Sequence, residues 1–286
     1  MNIKVRDDSW QQKIWRVPHL GGLRLIHASG ITHDYPRHIH EEHCIAVVLQ
    51  GTETYIFRGR SYKAGPGDLM LLNADEAHSS KSVGTGYRVI QIHPEALNRI
   101  GDEVVGRKIG TIFFSTPIVK DSLSFGPLLN LHLKLERNAP CLEHESQLIT
   151  TIGLLLRRQS KNHFSFQRPG KEFRCVKLIQ DYLKAHYAEN VSLAQLSSIA
   201  NLSPFYLLRV FSRQVGVPPH EYQTQLRIAR AKRLIETGHS ISQAALETGF
   251  FDQSHLTRNF KRIVAEPPGA YLSRRNIVQD RVKTAW

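Results

Sequence analysis

The chain has 286 residues, 41% hydrophobic and 22% charged, an ordinary composition for a folded globular protein and enough length for two separate cores. No apolar run approaches the roughly 18 residues needed to span a bilayer. Met1 to Asp8 lacks the basic-then-apolar order of a secretory signal, and Cys44, Cys141 and Cys175 lie too far apart for a disulfide framework or a cysteine zinc site, so a cytoplasmic location is expected. The net charge of +13 is unevenly spread: Gln167 to Trp286 holds 18 Lys and Arg against 9 Asp and Glu, while the longer remainder holds 20 against 16. A basic excess concentrated in one part suits a surface that meets phosphates.

In chain order, the first ~95 residues read as strands. Cys44 to Leu49 is apolar and β-branched, Gly51 breaks it, and Thr52 to Phe57 follows. Arg58-Gly59-Arg60, Gly65-Pro66-Gly67-Asp68 and Gly84-Thr85-Gly86 read as turns ahead of further short strands. Frequent turns without intervening helices favour an antiparallel sandwich or barrel. From Pro94 the period becomes helical, with Leu128, Leu131 and Leu135 and then Leu148, Ile152, Leu155 and Leu156 at helical spacing. These helices could pack on the β-domain or pair with a second subunit. His163 to Lys171 carries a Pro-Gly pair and no period, which makes it the linker. The expected division is therefore 1–162, linker 163–171 and an all-helical 172–286, an α+β chain of two domains.

The C-terminal part contains an internal repeat. Leu207, Arg209, Phe211, Pro218, Pro219 and Tyr222 recur 49 residues later as Leu256, Arg258, Phe260, Pro267, Pro268 and Tyr271; upstream of the turn the offset is 48, pairing Ser192-Leu193 with Ser240-Ile241. Each copy reads helix, turn, helix, Pro-Pro. Ser192 with Gln195, and Ser240 with Gln243, have capping-box spacing. Ser203 before Pro204, and Asp252, are caps for the second helices. Gly249 and Asn201 supply the turns.

A helix-turn-helix presents its second helix to the major groove of double-stranded DNA. In the first copy that helix is expected over Pro204 to Val215, with Leu207, Val210 and Phe211 inward and Phe205, Tyr206, Leu208, Arg209, Ser212 and Arg213 outward. In the second it runs over Gln253 to Ile263. There Leu256, Phe260 and Ile263 face inward, and Gln253, Ser254, His255, Thr257, Arg258, Lys261 and Arg262 face outward. Arg209 and Arg258 suit bidentate contact with guanine. Pro219 to Glu236 reads as a connecting helix with Tyr222, Leu226, Ala229 and Leu234 on its apolar face. Eighteen residues at ~1.5 Å span about 27 Å, near the ~34 Å between successive major grooves. Some of Arg227, Arg230, Lys232 and Arg233 would touch phosphate.

The run Ala245 to Arg262, with Gly249-Phe250 and Phe260-Lys261-Arg262, followed by Pro267-Pro268-Gly269-Ala270-Tyr271, resembles the AraC/XylS family of transcriptional regulators. The resemblance spans about Phe173 to Arg275; Leu246 stands where that family has Ala. It implies two units reading adjacent grooves of promoter DNA, with Phe205, Leu208 and Arg209 in the first and Ser254, His255, Thr257 and Arg258 in the second at base-facing positions. It also implies activation through RNA polymerase and a small-molecule effector bound in the N-terminal domain.

His38 and His40 lie two apart on an extended segment and share a face; His78 from a distant strand could join them. The arrangement resembles the cupin barrel that serves as sensor domain in that family. Cys44 and Ile45 stand where a metal cupin carries its Glu, and Asn73-Ala74-Asp75 replaces Pro-x-Gly. Three readings remain: a pocket for a small polar effector, structural histidines, or a transition-metal site. The first is taken, with Arg37, Tyr55 and Arg88 as further candidate pocket residues and no cofactor assigned. Trp10 and Trp15 would form an arm over the barrel mouth. No catalytic motif stands out, and a metal-dependent cupin enzyme with a DNA-binding tail is the alternative from another class.

Overall fold

The structure, a computed structural model, describes residues 11–160 and 172–273; the expected linker at 163–171 and Trp10 lie outside the described residues. Contacts divide the chain into two units, Met1–Glu136 with Gln147–Gln167, and Arg137–Ser146 with Arg168–Trp286.

The first unit is built on one antiparallel sheet. Its strands are β1 (Gln11–Val17), β2 (Leu23–His38), β3 (His43–Phe57), β4 (Arg60–Ala64), β5 (Leu69–Leu72), β6 (His78–Ile92) and β7 (Ile118–Val119). They run in the order β1-β2-β6-β3-β5-β7, with β4 also on β3. The path ends on two edges, so the sheet is open and not the closed barrel expected from the resemblance. β3 and β4 join through Arg58 and Gly59, both at positive φ (49° and 73°), a two-residue hairpin turn as the sequence suggests.

Gly51 and Gly84 do not end strands. Each lies within a single 15-residue strand, β3 or β6, at a shift in the β3–β6 register between Val48 and Thr52. Gly30 marks the matching irregularity in β2, between Ala28 and Ile31. A glycine at positive φ gives the same sequence signal for a bulge as for a turn. These three are bulges at one level of three neighbouring strands, and they bend the long strands together. The approach is close: a Cβ at Gly51 would overlap the carbonyl of Gly84.

One face of the sheet clusters Ile26, Ala46, Tyr55, Met70 and Val89. Their neighbours Leu25, Ile45, Leu69, Leu71 and Ile90 are buried too. Burial of both faces is why these strands read as continuous apolar runs. The helices α1 (Pro94–Val105), α2 (Ser122–Leu135) and α3 (Cys141–Gln159) follow; α2 packs on β3 and β6. Leu128, Leu131, Leu135, Leu148, Ile152, Leu155 and Leu156 are all buried, as their spacing predicts.

The second unit contains α4 (Phe173–Ala185), α5 (Leu193–Ala200), α6 (Pro204–Val215), α7 (Pro219–Glu236), α8 (Ile241–Glu247) and α9 (Gln253–Val264), with 268–273 also helical. Both capping boxes form, at Ser192/Gln195 and Ser240/Gln243. Ser203 accepts from Tyr206 N and Asp252 from His255 N, at 3.4 and 2.6 Å. Asn201 and Gly249 occupy equivalent turn positions at φ 50° and 76°.

The bounds of α7 match the sequence reading, but its buried face does not. Gln223, Thr224, Arg227, Ile228, Ala231 and Ile235 are buried, while Ala229 is exposed. The apolar stripe misleads here because the helix buries polar groups that are paired. Arg227 donates from Nε to Tyr187 O (2.7 Å) and from Nη2 to Glu189 O (2.8 Å). Gln223 Nε2 reaches the same two carbonyls at 3.2 and 3.1 Å.

Candidate functional site

A cavity of about 190 Å³ opens on the face of the sheet away from α2. Its floor is apolar, from Ile26, Ala46, Met70, Leu72 and Val89. Polar groups converge on it from β2, β3 and β6, namely Tyr35, His38, Glu53, Tyr55, His78, Tyr87 and Gln91, together with His40 just past β2. The bulges bend the strands so that these residues share one concavity.

His38 and His78 are cross-strand partners in the β2–β6 register. The rings of His38, His40 and His78 have centroids 4.4 to 5.0 Å apart, and Tyr55 lies 4.7 Å from His78. His38 Nδ1 donates to Pro36 O at 2.7 Å and His78 Nδ1 to Glu76 O at 2.9 Å, because a carbonyl can only accept. The neutral form of each ring therefore carries its bare nitrogen at Nε2. Burial, then the neighbouring His78 and His38, holds His40 down at about 4. Burial also lowers His78 and raises the Tyr55 and Tyr87 hydroxyls above the ordinary tyrosine range.

Of the six residues expected in the pocket, His38, His40, Tyr55 and His78 line the cavity. Arg37 and Arg88 do not, which corrects that expectation. Arg37 is exposed. On β6, Tyr87 and Val89 take the cavity face, so strand alternation sends Arg88 to the other. There it donates to Glu136 Oε2 (2.9 Å) and His132 Nδ1 (3.1 Å) on and just after α2. Trp15 is likewise no cover for a mouth: it belongs to edge strand β1 and packs edge-on to His132 at 5.3 Å. Gln12, three residues earlier on the same strand, lines the cavity instead. Glu53, Tyr35, Tyr87 and Gln91 are cavity residues that the sequence reading missed. Continuing the period-2 pattern from Tyr55 to Glu53 would have found one of them; on β6 the register shift moves the cavity face from His78 and Ser80 to Tyr87, Val89 and Gln91, which period 2 from His78 does not reach. Glu53 is buried and accepts from Ser82 Oγ at 2.5 Å. Cys44, at the place of the metal-cupin carboxylate, is a buried thiol pushed up to about 11 by burial.

In the second unit, α5–α6 and α8–α9 are the two helix-turn-helix pairs. On α9 Gln253, Ser254, Arg258, Lys261 and Arg262 are exposed and Thr257 half-buried; on α6 Arg213 is exposed and Arg209 half-buried. Three residues expected to face outward do not. Phe205 and Leu208 are each 4% exposed and His255 5%. α6 is covered on more than one side, so its apolar face is wider than a single stripe: Phe205, Leu207, Leu208, Val210 and Phe211 are all buried. His255 sits edge-on to Phe250 at 5.2 Å, and burial holds it at about 4. Ile263, expected inward, is 40% exposed. Arg227, a candidate phosphate contact, is buried as described, its guanidinium lowered to about 10 by burial.

The family model described as "AraC-like ligand binding domain" matches residues 20–152, and that described as "Helix-turn-helix domain" matches 196–274. The "Uncharacterized HTH-type transcriptional regulator YbfI" of Bacillus subtilis (strain 168) is 32% identical over 84% of this chain and 87% of its own. The "HTH-type transcriptional activator RhaS" of Salmonella paratyphi A is 24% identical over 80% and 84%. The crystal structure of ToxT from Vibrio cholerae O395 aligns over 89% of this chain and 94% of its own, at 16% identity and a TM-score of 0.36. No described helix is long and apolar enough to cross a membrane.

Proposed function

The chain belongs to the AraC family of transcriptional regulators, and from that premise we propose that a small polar effector in the N-terminal cavity controls how the two helix-turn-helix units engage a promoter. The observation that carries this is the cavity, where His38, His40, Glu53, Tyr55, His78 and Gln91 converge over an apolar floor. A few polar groups over an apolar surface is the usual composition of a small-molecule site. At about 190 Å³ it is smaller than the ~300–1,000 Å³ of drug-sized sites, so the effector is a small metabolite.

On this reading residues 1–162 form the sensor, 163–171 the linker and 172–286 the DNA-binding part. Arg209 and Arg213 of α6 and Gln253, Ser254, Thr257, Arg258, Lys261 and Arg262 of α9 meet double-stranded promoter DNA. Phe205, Leu208 and His255 set the orientation of those helices from beneath. The regulator works in the cytoplasm, activates by contact with RNA polymerase, and pairs as a homodimer. Its sensor does no chemistry, a reading supported by relatives that are regulators. An effector acts only through different affinity for two conformations of the protein.

Thermal unfolding of the full chain against a metabolite collection tests this. The effector raises Tm, by the equivalent of about 2.7 kcal/mol at 100 times its Kd, and changes DNA affinity in a gel-shift titration. Tyr55→Phe with His40→Ala removes the shift. A metabolite whose shift survives that double substitution binds elsewhere and refutes the cavity as the sensor.

A further inference from the structure

We infer that His38, His40 and His78 form a site for one divalent transition-metal ion of the zinc or cobalt type, and that this ion anchors an oxygen-donor effector in the cavity. The inference deepens the effector reading for the ligand, while the metal site stands on its own geometry.

The ligand nitrogens of the three histidines lie within 4.8 Å of one another. Bonds of ~2.0–2.1 Å to a tetrahedral ion place such nitrogens about 3.3 Å apart, so small ring rotations close the site. The rings are already held for it. Backbone carbonyls of Pro36 and Glu76 fix the Nδ1–H tautomer of His38 and His78, which leaves Nε2 as the lone-pair nitrogen. That second-shell bond is the one a metal-bound histidine ordinarily makes. Among the described residues, Nε2 of His38 and His78 and both nitrogens of His40 make no hydrogen bond to another protein group.

The composition of the cluster then says what the ion would do. Cys44 and Ile45 occupy the carboxylate position, and neither belongs to the cluster. Three neutral imidazoles leave the ion its full double charge, with at least one coordination position open. All three histidines line the cavity, so the open position faces it. An ion of that charge beside an apolar floor selects a small carboxylate or α-hydroxy acid. This class completes the coordination sphere and brings a compensating negative charge. Imidazole ligation suits zinc, copper, iron, cobalt or nickel over magnesium or calcium.

The test is titration of chelator-treated full-length protein with Co²⁺, followed by its visible absorption. One equivalent binds, with d–d bands of a nitrogen-ligated ion, and His40→Asn and His78→Asn each weaken binding at least ~100-fold. Circular dichroism and apo-protein Tm check that the variants fold, and His33→Asn, on the exposed part of β2, serves as control. Substoichiometric binding, or binding unchanged in His40→Asn and His78→Asn, overturns the site. A metabolite that shifts Tm equally in chelator-treated and Co²⁺-loaded protein removes the ion's anchoring role and leaves the effector reading standing.

Discussion

Gly249 is packed against the backbone of Ala188 so closely that a Cβ on residue 249 would overlap the Ala188 carbonyl, and its φ is 76°. The turn of the second helix-turn-helix thereby rests on the loop between α4 and α5. Gly249→Ala combines left-handed strain of ~1–2 kcal/mol with a clash against backbone that cannot rotate away. We expect a loss above about 3 kcal/mol in urea unfolding. Asn201, the equivalent residue of the first unit, shares the left-handed φ as a non-glycine, and Asn201→Ala costs only about 1 kcal/mol. Equal costs at the two sites would refute this account.

Arg227 and Gln223 clamp the same loop from α7, through the carbonyls of Tyr187 and Glu189. Removing the guanidinium leaves both carbonyls short of a strong donor in a site from which water is excluded. Arg227→Met should therefore cost roughly 3 kcal/mol. Lysine, a point donor without the fork, should recover less than half of that. Were Arg227 a phosphate contact instead, Arg227→Met would leave the melting curve alone and flatten the salt dependence of DNA binding.

These two residues show what the sequence could and could not tell. The repeat, the capping boxes, the ends of α7 and the turn roles of Gly249 and Asn201 were legible because each rests on local backbone chemistry. The facing of side chains was legible only where one element has one neighbour. α6 buries Phe205 and Leu208 as well as its expected stripe, and α7 buries a paired arginine, because each contacts several helices whose positions no periodicity encodes. In the sheet, Gly51 and Gly84 carry the signature shared by turns and bulges, and only strand pairing separates the two. Arg88 was lost to the same feature: period 2 counted from His78 puts it on the cavity face, and the irregularity between Val83 and Gly86 turns it to the other.

Asp121 caps α2 and gathers a buried network. It accepts from Leu123 N (3.1 Å), Ser124 Oγ (2.8 Å), Arg158 (2.6 and 2.9 Å) and Gln159 Nε2 (2.7 Å). The Arg158 hydrogen bonds outweigh burial and hold its carboxyl well below the usual range. Asp121→Asn keeps a cap oxygen but loses the charge, and should cost about 2 kcal/mol; Asp121→Ala should cost about 3–4. Chemical denaturation of both variants checks the order, which a merely surface-charge role would not produce.

Stability should fall on mild acidification through His132. Burial, then the adjacent Arg88, holds its imidazole at about 4, against 6.5 when unfolded. Between these values the unfolded chain binds the proton and the folded one does not, so stability rises with pH through that window and is complete above it. The full effect is on the order of 3 kcal/mol. Below it Glu136 acts in the same direction: burial raises its carboxyl, but hydrogen bonds from Arg88 and Lys13 prevail and hold it at about 2. His40, His43 and His255, also held at about 4 by burial, act in the same direction, so His132→Gln should make the pH 4–6.5 part of the curve shallower by about one proton without flattening it. A slope unchanged in that variant would assign the acid sensitivity to other groups.

Arg258 carries the sharpest prediction for DNA. It is exposed on α9 at the position that the repeat pairs with Arg209 of α6. Because it is exposed, Arg258→Ala should change unfolding stability by less than ~0.5 kcal/mol. A bidentate contact to guanine predicts a loss of about 1–3 kcal/mol in affinity, confined to one base position when binding is measured across single-base variants of the promoter site. His255→Ala, three residues earlier but buried, should instead lower Tm and weaken binding to every sequence alike. If Arg258→Ala also weakens all sequences evenly and makes the salt dependence shallower by about one unit, the side chain holds phosphate. Base reading on α9 would then fall to Gln253, Ser254 and Thr257.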